Sequence, residues 1–172
     1  MKKTLMYTML VLSVFSLMTV GTMAKKMASP SLVDVTLSVN GEGSQYEGMF
    51  DTLIAGVLAA DPIVLDTLSY KGQHTVFAPT DEAFMDLGIT PDNIASLDKE
   101  TLTEILLYHV ANGRRDAADI TTSDKVRMLN KEFVDQDGAV LTDNQGGTAN
   151  IIDTDVEADN GIIHVIDSVL MQ

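Results

Sequence analysis

Residues 74–84 read HTVFAPTDEAF, and this stretch predicts a buried strand that runs directly into a helix. The segment Thr75–Ala78 is rich in β-branched and aromatic side chains, which favour strands, and Pro79 ends it. Thr80 is placed to cap the helix that follows. Residues 160–167 read NGIIHVID and predict a second strand after an Asn-Gly turn. Neither stretch holds a set of reactive side chains, so we expect both to build the core and leave function to the surface.

The composition is that of a single acidic domain. The chain has 172 residues, which is enough for one domain with its own core. Hydrophobic residues make up 45% and charged residues 21%, as in ordinary globular proteins. The formal net charge of −14 would repel phosphate backbones, so we expect no nucleic-acid partner. The absence of Cys excludes disulfides, thiolate metal sites and a Cys nucleophile.

The first 24 residues have the pattern of a secretory signal peptide. Lys2 and Lys3 form a short basic start, and residues 4–24 carry no charge and are rich in Leu, Val and Met. The small residues Thr22 and Ala24 lie two apart and predict cleavage after Ala24. We therefore expect a secreted or periplasmic protein. A membrane contact, through an uncleaved segment that acts as an anchor, is the alternative.

The next segment, residues 25–43, is interpreted as a tether followed by a possible strand. Apolar and polar side chains alternate from Val33 to Val39, which is the period of a half-buried strand. Ser44 and Glu47 then have the spacing of a capping box and predict the start of a helix. That helix would bury five apolar residues at helical spacing, namely Phe50, Leu53, Ile54, Val57 and Leu58.

The order of the remaining patterns predicts the fold class. Helical patterns concentrate in the first half of the chain. From residue 126 onward, short apolar runs are separated by turn sequences such as Asp137-Gly138, which is typical of antiparallel strands. This order predicts an α+β fold in a single unit.

Five segments resemble, in their order and spacing, elements of the fasciclin-like (FAS1) domain. They are residues 50–53 (FDTL), 65–68 (LDTL), 75–84, 106–110 (LLYHV) and 160–170. The resemblance covers residues 46–171 and assigns 44–172 to one FAS1 domain. It implies a wedge in which two packed β-sheets carry a cluster of helices along one side, with the strands of the two opening stretches close together in the core. Family members usually begin with a further helix, where residues 32–40 alternate like a strand here.

The resemblance also implies a function. FAS1 domains mediate adhesion and the binding of proteins or ligands, usually outside the cell. We therefore expect a non-enzymatic module that binds a protein partner at the cell surface or in the matrix. Some FAS1 proteins bind apolar pigments, so the alternative is an extracytoplasmic carrier of an apolar small molecule such as a carotenoid. An enzyme is the third option, although the sequence has no Gly-x-Ser-x-Gly, His-Glu-x-x-His or phosphate-binding Gly loop.

Two pairs of residues are candidate binding sites implied by the resemblance. Tyr108 and His109 lie where family members have a Tyr-His region linked to adhesion; the alternative is that the His109 ring locks a helix-to-strand junction. Asp155 and Val156 match in place an Asp-Ile pair that helps some animal members to bind integrins; the alternative is an exposed Asp at a strand edge. His164 alternates with apolar residues, and we interpret it as a core residue.

We expect no metal site and no cofactor. Three isolated His residues without Cys give no transition-metal cluster. Calcium needs several convergent oxygen ligands, and the series Asp153, Asp155 and Glu157 has Ala158 where the helix–loop–helix calcium motif needs Gly. A diffuse acidic face is the simpler interpretation, and calcium binding by the acidic C-terminal half stays open.

Overall fold

The structure is a computed structural model that describes residues 30–69 and 72–172. The predicted signal peptide and most of the predicted tether lie outside the described residues. The helices are α1 (Leu32–Val39), α2 (Asp51–Ala59), α3 (Pro62–Ser69), α4 (Asp81–Met85), a 3-10 helix (Ile94–Ser96), α5 (Lys99–Tyr108) and α6 (Ala117–Thr122). The strands are β1 (His74–Pro79), β2 (Val110–Asn112), β3 (Lys125–Arg127), β4 (Phe133–Asp137), β5 (Val140–Thr142), β6 (Thr148–Ala158) and β7 (Gly161–Ile166).

Helix α1 stands where a strand was predicted within residues 25–43, so that prediction is wrong. Ser31 and Asp34 make a reciprocal capping box: the Ser31 hydroxyl accepts from the Asp34 amide at 3.3 Å, and the Asp34 carboxylate accepts from the Ser31 amide at 2.9 Å. Leu32 and Val35, three apart, are the buried residues of this helix. The spacing of the apolar residues fits both a strand and a helix. The capping box and the tertiary contacts of Leu32 and Val35 favour the helix.

Helix α2 begins at Asp51, well after the capping box predicted at Ser44. Ser44 and Glu47 do not cap a helix; their side chains instead make hydrogen bonds to the backbone of preceding residues. The Glu47 carboxylate accepts from the Gly43 amide at 2.9 Å, and the Ser44 hydroxyl donates to the carbonyl of Val39. The predicted helix therefore exists, but its start was placed too early.

The buried face of α2 also differs from the prediction. Phe50 and Leu53 are buried as expected, but Leu58 is 69% exposed, so its predicted burial is wrong. Gly56 is buried instead, because α2 packs closely on the 3-10 helix. A Cβ atom at Gly56 would lie only 2.8 Å from Cδ1 of Ile94. Leu58 follows Gly56 by two residues and therefore lies on the opposite side of the helix, where it is largely exposed.

Helices α2 and α3 are joined by a sharp bend of 117° at the Asp61-Pro62 step. Pro at the first position of α3 suits a helix start, since its missing N–H would have no intrahelical partner there. Within residues 30–69 and 72–172, no single helix has the length and hydropathy to cross a membrane, and α2 and α3 pass that test only when the bent pair is counted together.

The strands form a seven-stranded mixed sheet with the order β2-β1-β7-β6-β5-β4-β3. The two opening sequence stretches supply β1 and β7, which pair in parallel with Val76 opposite Ile163 and Phe77 opposite His164. The predicted proximity of these strands in the core is therefore confirmed. The other strand pairs are antiparallel, as predicted for the last third of the chain.

The long strand β6 divides this sheet into two halves. Its first residues pair with β5, and its remainder pairs with β7. An isolated bridge between Ala111 of β2 and Met128, next to β3, brings the two outer edges together. The predicted α+β wedge is confirmed, and its two packed sheets are halves of one sheet that share β6.

Alternation along β1 and β7 creates two apolar cores. One face of these strands packs against the helices, with Val76, Ala78, Ile163 and Val165 among its buried residues. The other face, with Phe77 and Ile166, packs between the halves of the sheet against residues of other elements, which include Tyr108, Val134 and Leu141. Both faces of β1 and β7 are buried, which explains their nearly continuous apolar sequences.

Gly161, at the start of β7, is the position where added bulk would disturb this arrangement most directly. A Cβ atom there would lie 2.1 Å from the carbonyl oxygen of His74 and 3.0 Å from Cδ1 of Leu32. We predict that Gly161→Ala lowers the free energy of unfolding by about 3 kcal/mol, as for other overpacked sites. Urea unfolding followed by circular dichroism measures this change.

Gly138→Ala is the matched control, because Gly138 has a φ of +61° and a Cβ atom added there would meet no other atom within 4 Å. Only the backbone conformation is strained there, so we expect a loss of about 1 kcal/mol. Equal losses for the two variants would contradict the steric explanation.

Candidate functional site

His109 is buried at the junction between α5 and β2. The Leu170 amide donates to His109 Nε2 at 2.9 Å, so the ring hydrogen lies on Nδ1, which is 2.8 Å from the carbonyl oxygen of Ile105. Burial lowers the pKa of His109 to about 4 and outweighs the opposite effect of the Ile105 carbonyl. The ring is therefore neutral and joins α5 to the C-terminal segment.

Tyr108 is fully buried between the two halves of the sheet. Its hydroxyl donates to the carbonyl oxygen of Phe133 and accepts from the amide of Asn144, both at 3.2 Å. Burial is the main cause that raises the pKa of Tyr108. Neither Tyr108 nor His109 presents an accessible surface to a partner.

His164 lies in β7, and its ring makes hydrogen bonds to the backbone of two segments that are distant from each other in the sequence. Its Nε2 lies 2.8 Å from the carbonyl oxygen of Arg115, and its Nδ1 accepts from the amide of Asp155 at 3.3 Å. The ring also lies 5.8 Å from that of Phe77, centre to centre. Burial is the main cause that lowers the pKa of His164, which keeps the ring neutral and able to accept from Asp155. The sequence-based interpretation of His164 as a core residue agrees with this position.

Asp155 lies at an irregularity of β6, where the pairing with β7 skips from Asp153 to Val156. Its φ is +63°, which is rare for a residue other than Gly. The Asp155 carboxylate is exposed and accepts from the amide of Ala117 at the start of α6 at 3.0 Å. Val156, the next residue, is half-buried against the helices. Of the four predicted site residues, Asp155 is the one that is exposed.

The acidic residues around Asp155 have separate partners. The Asp153 carboxylate accepts from the hydroxyl of Tyr46, whose pKa is raised to about 12 by burial and by this carboxylate. Glu157 forms an ion pair with Arg114 at 2.7 Å. Among the residues that the structure describes, no group of three or more His, Cys, Asp or Glu could hold a metal ion.

Asp143 has a structural role that the sequence reasoning missed. One carboxylate oxygen accepts from the amides of Gln145 and Gly147 at 2.9 and 2.7 Å, and the other accepts from the amide of Met171 at 2.9 Å. The contacts within the turn could be predicted from the local sequence, because the side chain of an Asp before a Gly-rich turn commonly accepts hydrogen bonds from the backbone of that turn. The hydrogen bond from the Met171 amide could not be predicted, because it joins residues that are far apart in the sequence.

A second feature without a sequence signal is an apolar cavity of about 110 Å³ between the helices and the sheet. Buried residues of α1, α2, α3, β1, α5 and β2 form its inner wall, including Leu32, Leu53, Val64, Val76, Leu106 and Val110. An engineered apolar cavity of about 150 Å³ binds benzene, so this space suits a group of a few carbons. The carotenoid alternative stays a prediction.

A family model for the fasciclin domain matches residues 48–172. The chain belongs to the fasciclin family. The match includes both β1 and β7, and it also includes Tyr108, His109, Asp155 and Val156.

Curated bacterial relatives align over most of this fasciclin domain. Protein sll1483 of Synechocystis sp. is 38% identical over 126 residues, which cover 71% of this chain and 67% of the relative. Uncharacterized protein sll1735 of Synechocystis sp. is 35% identical over 147 residues, or 83% of this chain and 98% of the relative. Immunogenic protein MPB70 of Mycobacterium bovis is 32% identical over 118 residues, and the aligned part is 59% of its length.

A solved structure of the same fold comes from an insect protein. It is a FAS1 domain pair from the cell adhesion molecule Fasciclin I, with a TM-score of 0.54 and 26% sequence identity. The match covers 67% of this chain and 42% of that chain. The family therefore includes a cell adhesion molecule, and this chain spans less than half of the solved pair.

The neutral His109 of this fasciclin domain makes stability depend on pH. Below the ordinary His pKa of about 6.5 the unfolded chain takes up a proton, whereas folded His109 does so only near pH 4. The stabilisation is complete above pH 6.5 and is lost as the pH falls toward 4. For a single such group we predict a loss of about 2 kcal/mol in the free energy of unfolding between pH 8 and pH 5.

Urea unfolding at pH 8 and pH 5 tests this expectation in the protein and in His109→Asn. The variant lowers stability at both pH values, but we expect its pH-dependent difference to shrink because the titrating group is gone. An unchanged difference would show that other groups cause the pH dependence.

Proposed function

We propose that this chain is a secreted or periplasmic, non-enzymatic FAS1 module that mediates adhesion by contacting a protein at the cell surface or in the matrix. The observation that carries the proposal is the link between a core residue and an exposed one: the buried ring of His164 holds the backbone of the exposed Asp155. The module would act through a rigid scaffold that presents a fixed surface.

The contact surface that we propose is the exposed part of β6 around Asp155. Strand irregularities of this kind re-aim side chains and are common at functional sites. A residue other than Gly with a positive φ costs about 1–3 kcal/mol and persists where its surroundings hold it in place. Here the His164 ring and the first turn of α6 hold Asp155 from both sides.

Charge favours a basic partner. Ile152, Thr154, Asp155 and Glu157 are exposed along this part of β6. Glu157 is already paired with Arg114, so the Asp155 carboxylate is the charge that remains for a partner. With a net charge of −14, the chain would attract a positively charged surface and repel an acidic one. Adhesion through this surface should weaken as the salt concentration rises.

Tyr108 and His109 enter this proposal as positioning residues. Both are buried and bind the backbone of distant segments, so they would affect adhesion by fixing the scaffold. Secretion rests on the predicted signal peptide, residues 1–24, and on the extracellular roles that the FAS1 resemblance implies.

We predict that Asp155→Asn reduces the attachment of protein-coated beads to cells of the native host by about tenfold, equivalent to about 1.4 kcal/mol. Asn accepts a positive φ and can still accept the Ala117 amide, so the change removes the charge and spares the local fold. Bead counts under calibrated flow give the measurement.

Asp137→Asn is the control, because Asp137 is an exposed carboxylate on β4 and the charge change is the same. It should leave attachment nearly unchanged. Equal losses for both variants would indicate that net charge alone drives attachment, and no loss for Asp155→Asn would refute the proposed surface.

A further inference from the structure

The apolar cavity offers no free hydrogen-bonding group to an occupant. Thr36 and His109 are its polar lining residues. The Thr36 hydroxyl donates to the carbonyl oxygen of Leu32 at 2.8 Å, and both ring nitrogens of His109 have backbone partners. A polar group placed inside would lose its hydrogen bonds to water without replacement. The part of a ligand that enters the cavity must therefore be hydrocarbon.

The cavity opens between α1 and α2. Leu37 of α1 and Leu58 of α2 line it and are 49% and 69% exposed, whereas Val76 and Leu106 on the opposite wall are buried. The volume of about 110 Å³ is smaller than that of the benzene-binding cavity, about 150 Å³, so the cavity accommodates only a few carbons. An elongated molecule could insert its end and leave the rest against the exposed leucines.

The charge of the surrounding helices limits the head group of such a molecule. Residues 30–69, which include α1, α2 and α3, contain six carboxylates and no Lys, Arg or His. The six are Asp34, Glu42, Glu47, Asp51, Asp61 and Asp66. Within residues 30–69, an anionic head group at the opening would meet carboxylates and no basic side chain, whereas an uncharged or cationic one would not be repelled.

We infer that this cavity binds the terminal carbons of an unbranched aliphatic chain whose head group, uncharged or cationic, remains in solvent. This site goes beyond the proposed adhesive function and uses a different part of the molecule. The hydrocarbon supplies the attraction through burial of apolar surface, and the acidic helices exclude fatty-acid anions.

Three probes with the same eight-carbon chain test the inference: 1-octanol, octyltrimethylammonium and octanoate, each below its aggregation concentration. Isothermal titration calorimetry gives the affinity, and methyl NMR shifts of Leu53, Val64 and Val76 locate the binding. We expect saturable binding of the first two probes and at least tenfold weaker binding of octanoate at low salt. That gap should narrow as salt is added.

Two variants and one control tie the binding to this cavity. Val57→Phe enlarges a lining side chain and should lower the octanol affinity at least tenfold, while Leu37→Ser at the opening should lower it about fivefold. Leu87→Ser removes a leucine of similar exposure, 46%, that follows α4 outside the cavity lining and should have no effect. Leu37→Ser keeps the test valid if Val57→Phe does not fold.

Several results would overturn the inference. If octanoate bound as tightly as octanol, the proposed selection by charge would be wrong. If none of the three probes bound saturably, the proposed site itself would be wrong. Unchanged affinity in folded Val57→Phe and Leu37→Ser would place the probes elsewhere. Sedimentation as a dimer that Leu37→Ser converts to a monomer, without probe binding, would instead assign the opening to a second copy of the chain.

Discussion

The parallel pairing of β1 with β7 is the constraint on which the rest of the structure depends. These strands come from distant parts of the chain, yet six consecutive residues of each are in register. One face of the pair supplies the floor of the helical core, and the other supplies the wall of the core between the two halves of the sheet. Because Gly161 approaches the backbone of His74 so closely, this contact tolerates little variation. Loss of the pairing would open both cores at once.

The neutral histidines extend this constraint to the periphery. A buried imidazole with one donor and one acceptor can join two backbone segments without burying a charge. His109 joins α5 to the C-terminal segment, and His164 joins the loop before α6 to the irregular part of β6. Residues that the sequence presents as chemically active thus act as connectors, and the exposed Asp155 owes its position to a ring in the core.

The sequence predicted the elements whose signals are local. The strand at 75–78 follows from its β-branched and aromatic residues, and Thr80 caps α4 as expected because its hydroxyl accepts from the Ala83 amide. The strand prediction for residues 32–39 was wrong because their apolar positions suit both periods. The capping box of Ser31 and Asp34 and the buried contacts of Leu32 and Val35 together favour the helix. The conformation of Asp155 could not be predicted, since it depends on the register between β6 and β7 and on a bond to His164. The cavity is likewise a product of tertiary packing, and no single segment carries its signal.

The two proposed sites lie on opposite sides of the β1–β7 pair, which contributes a wall to each core. The cavity lies on the helical side, with Val76 in its wall, whereas Asp155 is tied to His164 and α6 on the side between the halves of the sheet. For occupancy of one site to affect the other, the paired strands would have to shift. Close-packed cores resist small continuous displacements, and coupling requires an element with two discrete arrangements. A one-residue slip of β1 against β7 would exchange the side chains of two buried faces that fit different cores, so this six-residue register offers no second arrangement of similar packing. We therefore expect the two proposed sites to be occupied independently of each other.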